Sequence, residues 1–204
     1  MNKASEKPIA LAITGASGAP YALRLLQSLV EAERQVYLMV SKAAQVVMPM
    51  ETDISLPSRA SDAEALLTER FNAATGQIRV FGREQWTAPV ASGSNPPRAM
   101  VVCPCSTGTL SAIACGASNN LIERAADVVL KEQRKLILMV RETPFSPVHL
   151  ENMLKLARLG VVIMPASPGF YNRPESVDEL VDFMVARILG HLGIDNPLNR
   201  PWGE

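Results

Sequence analysis

Two short runs in this chain place hydroxyls and glycines where an apolar segment gives way to a helical one. One is Ile13–Gly18 (ITGASG), after IALA, and the other is Cys105–Thr109 (CSTGT), after AMVVCP. The first turn of a helix presents N–H groups without intrahelical partners and a partial positive charge, so such sequence forms a cradle for phosphate. Two cradles in one chain point to one phosphorylated ligand held between two helix N-termini. TGASG also invites a dinucleotide reading, but Tyr21 stands where a third glycine is expected. Ser41-Lys42 stands where the second strand should end in an acidic residue for a ribose. A hydroxyl at that strand end suits a mononucleotide such as FMN better than NAD. The plainer alternative is that Gly15 and Gly18 serve tight turns.

Charged residues gather in the second half. Arg124 and Lys131 lie seven apart in NNLIERAADVVLKEQRK, on one face of a helix, and Arg141-Glu142 ends the next apolar run ahead of TPFSP. Two prolines hold that loop in a fixed path, so the charged face and the strand end could converge on an anion; alone, such a face is ordinarily solvated. Glu51, after KAAQVVMPM, reads as a surface carboxylate, Ser17 as a helix N-cap, and Trp202, in the proline-rich NPLNRPWGE, as an interface anchor. Cys103, Cys105 and Cys115 are odd in number and clustered, and the two histidines are far apart. That argues against a disulfide framework and against a zinc site, so all three cysteines read as structural.

The elements that must position these groups follow from periodicity. Apolar runs suited to buried parallel strands occupy 9–14, 35–41, 78–81, 99–103, 136–141 and 161–165. Segments with apolar residues at three- and four-residue spacing occupy 20–32, 62–73, 120–133, 148–159 and 177–192. Strand then helix, repeated, predicts a single α/β domain over 1–204. Its sheet is a Rossmann-like (flavodoxin-like) parallel one, covered by helices on both faces, with ligands at the carboxyl ends of the strands. The stretch 87–97 (TAPVASGSNPP) has turn composition and the length of a binding loop. The last segment is an extended tail, because its prolines end any helix. Lys+Arg and Asp+Glu balance at 20 each in 204 residues, so no global field attracts nucleic acid or an anionic membrane. The opening MNKASEKP lacks a signal core and no apolar run is long enough to span a bilayer, so a cytoplasmic protein is expected.

ITGASGAPYALRLL, APVASGS, CPCSTGTLSAIACGASNNLIERAADVVLKE, RKLILMVRETPFSPVHLENMLKLARLGVVIMPASPGFYNRP and the C-terminal VARILGHLGI together resemble the flavin prenyltransferases of the UbiX family, almost end to end. The resemblance implies transfer of a dimethylallyl group from dimethylallyl phosphate to N5 and C6 of reduced FMN, without metal. The product would be prenylated FMN for a UbiD-type decarboxylase. It implies a homo-oligomer, commonly a dodecamer, with sites at subunit interfaces. Carried over by residue, FMN lies against Gly15, Ala16, Ser17, Ser41, Ser106, Thr107, Gly108, Thr109 and Arg141. The prenyl phosphate lies against Arg124, Lys131, Glu142, Tyr171 and Arg187. Ser17, Glu51, Glu142 and Trp202 are the implied catalytic residues: Ser17 near flavin N5, Glu51 as proton acceptor, Glu142 as partner of the phosphate, Trp202 over the dimethylallyl cation. The chain departs from the family's usual pattern at Cys103 and at Thr107-Gly108. An FMN-dependent decarboxylase of a cysteine derivative and a flavin carrier without turnover are the alternative functions.

Overall fold

The computed structural model describes residues 7–198. Six parallel strands form one sheet in the order β3-β2-β1-β4-β5-β6: β1 Ile9–Ile13, β2 Val36–Val40, β3 Ile78–Phe81, β4 Ala99–Cys105, β5 Lys135–Val140 and β6 Val162–Pro165. Every residue of β1 and β4 is buried, as expected for strands with helices on both faces. The strand order reverses between β1 and β4, which pair from Ile9↔Ala99 to Ala12↔Val102. That switch point opens a crevice at the strands' carboxyl ends, where ligands bind in such sheets.

The helices are α1 Ala19–Glu31, α2 Lys42–Glu51, α3 Ala60–Arg70, α4 Thr107–Ala114, α5 Leu121–Lys131, α6 Pro147–Arg158 and α7 Val177–Leu192. The core divides into two clusters, one on each side of the sheet. Leu25, Leu26 and Leu29 of α1 meet Val185, Ile188 and Leu189 of α7 in the first. Leu110 of α4, Ala125 and Val129 of α5 and Leu156 of α6 fill the second. Each fully buried Leu, Ile or Val adds about 1.5–3 kcal/mol of burial free energy, so the two clusters fix the sheet against its helices.

Local signals set the helix ends. Ser106, Asn120, Ser146 and Ser176 cap α4, α5, α6 and α7 by accepting backbone N–H groups, and Gly193 ends α7 in the left-handed region at φ 66°. Four expectations are corrected or refined. The fourth strand does not stop at Cys103 but runs to Cys105, because the β4–β5 register shifts between Val102 and Cys105, so the missing N–H of Pro104 costs no ladder bond. The third helix begins at Ala60 and ends at Arg70, and the 87–97 loop contains a 3₁₀ turn at Pro89–Ala91. Glu51 is the last residue of α2 rather than a residue beyond it. Trp202 and the end of the proline-rich tail lie outside the described residues.

Candidate functional site

The two cradles meet at the switch point through a residue that the motifs do not feature. Thr14, 2% exposed, directly follows β1. Its Oγ1 donates to the Pro104 carbonyl at 2.8 Å and accepts the Ser106 N–H at 2.8 Å, while its own N–H reaches the same carbonyl at 3.3 Å. The start of α1 and the start of α4 are thereby held in one register. The only sequence signal for Thr14 is a hydroxyl just past the strand, which reads as one more member of the Gly/Ser/Thr run.

Gly15 and Gly18 have structural duties of their own. A Cβ on Gly15 would stand 2.3 Å from the Ala43 Cβ, so the β1–α1 turn packs against α2 as closely as only glycine allows. Gly18, not Ser17 as the sequence suggests, is the N-cap of α1; it has φ 128° and offers no capping side chain. The cap comes instead from Glu51, whose Oε2 accepts the Gly18 and Ala19 N–H groups, both at 2.8 Å. Glu51 is therefore no bland surface carboxylate. Burial pushes its carboxyl up, yet the Ser17 hydroxyl, the two amides and the Arg141 charge together hold it below the usual carboxylate range. Arg141 Nε in turn donates to the Ser17 carbonyl at 3.2 Å. Ser17 in the β1–α1 turn, Glu51 at the end of α2 and Arg141 just past β5 form one linked group.

Across the crevice, Ser106 Oγ accepts the Thr109 N–H at 3.3 Å and lies 3.0 Å from Thr109 Oγ1, while Thr107 Oγ1 is 3.5 Å from Glu142 Oε2. Glu142 Oε1 accepts the Thr143 N–H at 3.0 Å. No heavy atom lies within 4 Å of a Cβ built on Gly108, so that face of the first α4 turn is open to a ligand. Ser41 caps α2 by accepting the Ala44 N–H at 3.1 Å, and beside it a cleft of about 270 Å³ reaches Lys42, Arg83 and Thr109. Ala16 is buried. At the carboxyl ends of the strands lie hydroxyls, the capped starts of α1 and α4 and the Arg141 guanidinium, a donor set that fits a phosphorylated flavin.

The implied prenyl-phosphate residues are not gathered in the same way. Glu142 stands at the crevice, and Tyr171, 46% exposed, lies beyond β6 with its ring edge-on to Phe183 at 5.6 Å between centroids. Arg124, on α5, donates through Nε to the Ala91 carbonyl at 3.0 Å and pairs through Nη1 with Asp127 at 2.7 Å. Lys131 ends α5 and pairs with Glu132 at 2.5 Å. Arg187 is exposed on α7, one turn before His191, whose ring is held below its usual range by burial and by the Arg187 and Lys135 charges. The expected convergence of the α5 face with the β5 end is therefore corrected for a single chain. Helices α5 and α7 run back from the ligand end, so Lys131 and Arg187 sit near Lys135, where β5 starts. The six steps of strand from Lys135 to Arg141 span ~20 Å.

The cysteines divide by burial. Burial pushes the Cys105 thiol up to about 12 and raises Cys103 as well, so neither supplies a thiolate near neutral pH, whereas Cys115 is exposed at the end of α4. Among the described residues no helix is long and apolar enough to cross a membrane.

Comparison with known proteins agrees with this geometry. Residues 1–189 match the model of the Flavoprotein family. A flavin prenyltransferase UbiX from Pseudomonas aeruginosa is 64% identical over 96% of this chain and 94% of its own length. One from Methanocaldococcus jannaschii is 46% identical over 96% of this chain and 98% of its own. Among solved structures, AnUbiX (PadA1) in complex with FMN and dimethylallyl pyrophosphate superposes with a TM-score of 0.86, at 38% identity over 98% of both chains. A dodecameric FMN-dependent UbiX-like decarboxylase from Escherichia coli O157:H7 superposes at 0.85, with 41% identity over 97% of this chain and 100% of that one. A crevice furnished for a phosphorylated flavin and near full-length identity to these relatives place the chain in the Flavoprotein family, among the UbiX flavin prenyltransferases.

Proposed function

We propose that this protein transfers the dimethylallyl group of dimethylallyl phosphate to N5 and C6 of reduced FMN. The donor's carbon–oxygen bond breaks as its C1 joins N5, and inorganic phosphate leaves with the N5 proton; the donor's C=C then takes up a proton, its tertiary carbon joins C6, and loss of the C6 proton to an acceptor closes the ring. FMN supplies the nucleophilic nitrogen and carbon. The observation that carries this reading is the Ser17–Glu51–Arg141 group facing the Ser106–Thr109 turn across one crevice. It joins a flavin cradle to an ionised carboxylate below its usual range, with a hydroxyl beside it.

In this reading Gly15, Ala16, Ser17, Ser41, Ser106, Thr107, Gly108, Thr109 and Arg141 hold the flavin. Ser17 stands near N5, and Glu51 accepts the proton that ring closure at C6 releases. Arg124, Lys131, Tyr171 and Arg187 bind the prenyl phosphate with Glu142, and the cations stabilise it as it leaves. The role of Trp202, an indole against the dimethylallyl cation, belongs to the same reading. Because Lys131 and Arg187 lie away from Arg141 and Glu142 in one chain, they reach the phosphate from neighbouring subunits of a homo-oligomer. The dodecameric relative supports such an assembly. The product serves a UbiD-type decarboxylase, in ubiquinone biosynthesis or aromatic acid decarboxylation, in a cytoplasm that keeps the three thiols reduced.

Anaerobic incubation of the protein with reduced FMN and dimethylallyl phosphate tests the activity. The expected result is a flavin heavier by one five-carbon unit. Bound FMN without such a product would leave a carrier, and carbon dioxide released from a cysteine derivative would make it a decarboxylase.

A further inference from the structure

The strap 87–97 does more than join β3 to β4. It runs along α5 and touches both α5 cations that the proposed reading assigns to the prenyl phosphate. Its Ala91 carbonyl accepts from Arg124 Nε at 3.0 Å. Two helical turns further on, Gly93 lies against the Lys131–Glu132 pair, so closely that a Cβ there would stand 2.1 Å from Glu132 Oε1 and 2.5 Å from Lys131 Nζ. The strap's own path is fixed. Val90 is fully buried, the Ala91 N–H reaches the Ala88 carbonyl at 3.0 Å, and the Ser94 N–H reaches Ser92 Oγ at 3.3 Å.

Asp127 completes this arrangement. Its Oδ2 lies 2.7 Å from Arg124 Nη1, with both side chains about two-thirds covered. An ion pair between residues three apart on a helix is common and needs no contact with another element. Here the guanidinium is held at Nε by the strap and at Nη1 by Asp127, so its plane is set from two directions and its remaining N–H groups are left for an anion. A planar fork fixed before the ligand arrives loses less freedom on binding than a swinging one.

We infer that Asp127 is a positioning residue for the prenyl donor, setting the plane of Arg124 together with the Ala91 carbonyl. This rests on the reading of Arg124 as a ligand of the donor phosphate. The inference predicts a direction opposite to simple electrostatics. If Asp127 merely competed with the phosphate for Arg124, removing its charge would tighten donor binding. If it positions Arg124, removal weakens donor binding and leaves the flavin alone.

The test is steady-state kinetics of the flavin-loaded enzyme with dimethylallyl phosphate for Asp127→Asn, Asp127→Glu, Asp127→Ser and Arg124→Ala. Asp127→Asn is expected to raise KM about tenfold with kcat and flavin content within about twofold, and Asp127→Glu to recover part of the loss. An unchanged or lowered KM in Asp127→Asn overturns the inference. Should Asp127→Asn fail to fold, Asp127→Ser decides: it removes the carboxylate and leaves the Lys131–Glu132 pair in place, so a raised KM supports the inference and an unchanged one overturns it. Arg124→Ala separates the two levels. A normal KM there removes Arg124 from the donor site and both readings fall, whereas a raised KM beside a normal Asp127→Asn sinks the positioning role alone.

Discussion

Glu51 accepts two backbone N–H groups at the start of α1, so its replacement acts on stability and chemistry together. Glu51→Gln keeps an oxygen for the cap and loses the base. It is expected to retain FMN and to break the donor's carbon–oxygen bond, while accumulating a flavin alkylated at one position, read by mass and absorption over time. Closed product at the normal rate would return Glu51 to a capping role. Glu51→Ala loses the cap as well, at a further cost of about 1–2 kcal/mol in chemical denaturation. The carboxyl's folded pKa is depressed, so the stability it contributes is present above the unfolded carboxylate pKa and is lost as pH falls through the lower folded value. Glu51 should therefore add no stability change between pH 5 and 8, and Glu51→Gln should flatten the acid limb of an unfolding-versus-pH profile. Thr14 tests the joint between the cradles. Thr14→Val keeps the shape but leaves the Ser106 N–H and the Pro104 carbonyl without this partner, so a loss of about 2–3 kcal/mol and weaker flavin binding are expected.

At the scale of elements, the two glycine-bearing turns make opposite demands. A Cβ on Gly15 collides with Ala43 at 2.3 Å, so Gly15→Ala must push α1 from α2, and loss of both stability and flavin is expected. A Cβ on Gly108 meets nothing within 4 Å, and alanine is the better helix former by up to ~1 kcal/mol. Gly108→Ala is expected to keep or raise the melting temperature and yet lower flavin content, because it fills the face that the flavin is to occupy. Undiminished flavin would show that the ligand does not approach the first turn of α4. The sheet and most helices were legible because buried parallel strands read as apolar runs and amphipathic helices keep their period. Pro104 misled at the end of β4, since a proline ordinarily stops a ladder and only the register shift with β5 accommodates it. The cap of α1 by Glu51 was not legible either. It joins positions 33 residues apart, and nothing local marks a carboxylate that will reach another helix's first turn. The two helix-start turns could be placed because their signals are local, hydroxyls and glycines at strand ends.

The whole molecule explains why the cations could not be placed from spacing alone. Arg124 and Lys131 do share a helix, but α5 and α7 return toward the start of the strands, and Lys131 and Arg187 go with them. On the proposed reading the site draws on both ends of the strands, so it would be completed where one subunit's strand ends meet another's helix ends. The measurement that tests this most directly mixes two variants, Arg141→Ala, damaged at the crevice, and Arg187→Ala, damaged at the far end. Each assembled alone should make little prenylated FMN. Assembled together from equal amounts of unfolded chains, random mixing gives about a quarter of the sites an intact Arg141 from one variant and an intact Arg187 from the other. The flavin product, measured by mass, should then recover to about that fraction of the wild-type yield, as follows from closed symmetric assembly. Mixed oligomers no more active than the separate variants would contradict an active site built from more than one copy of this chain.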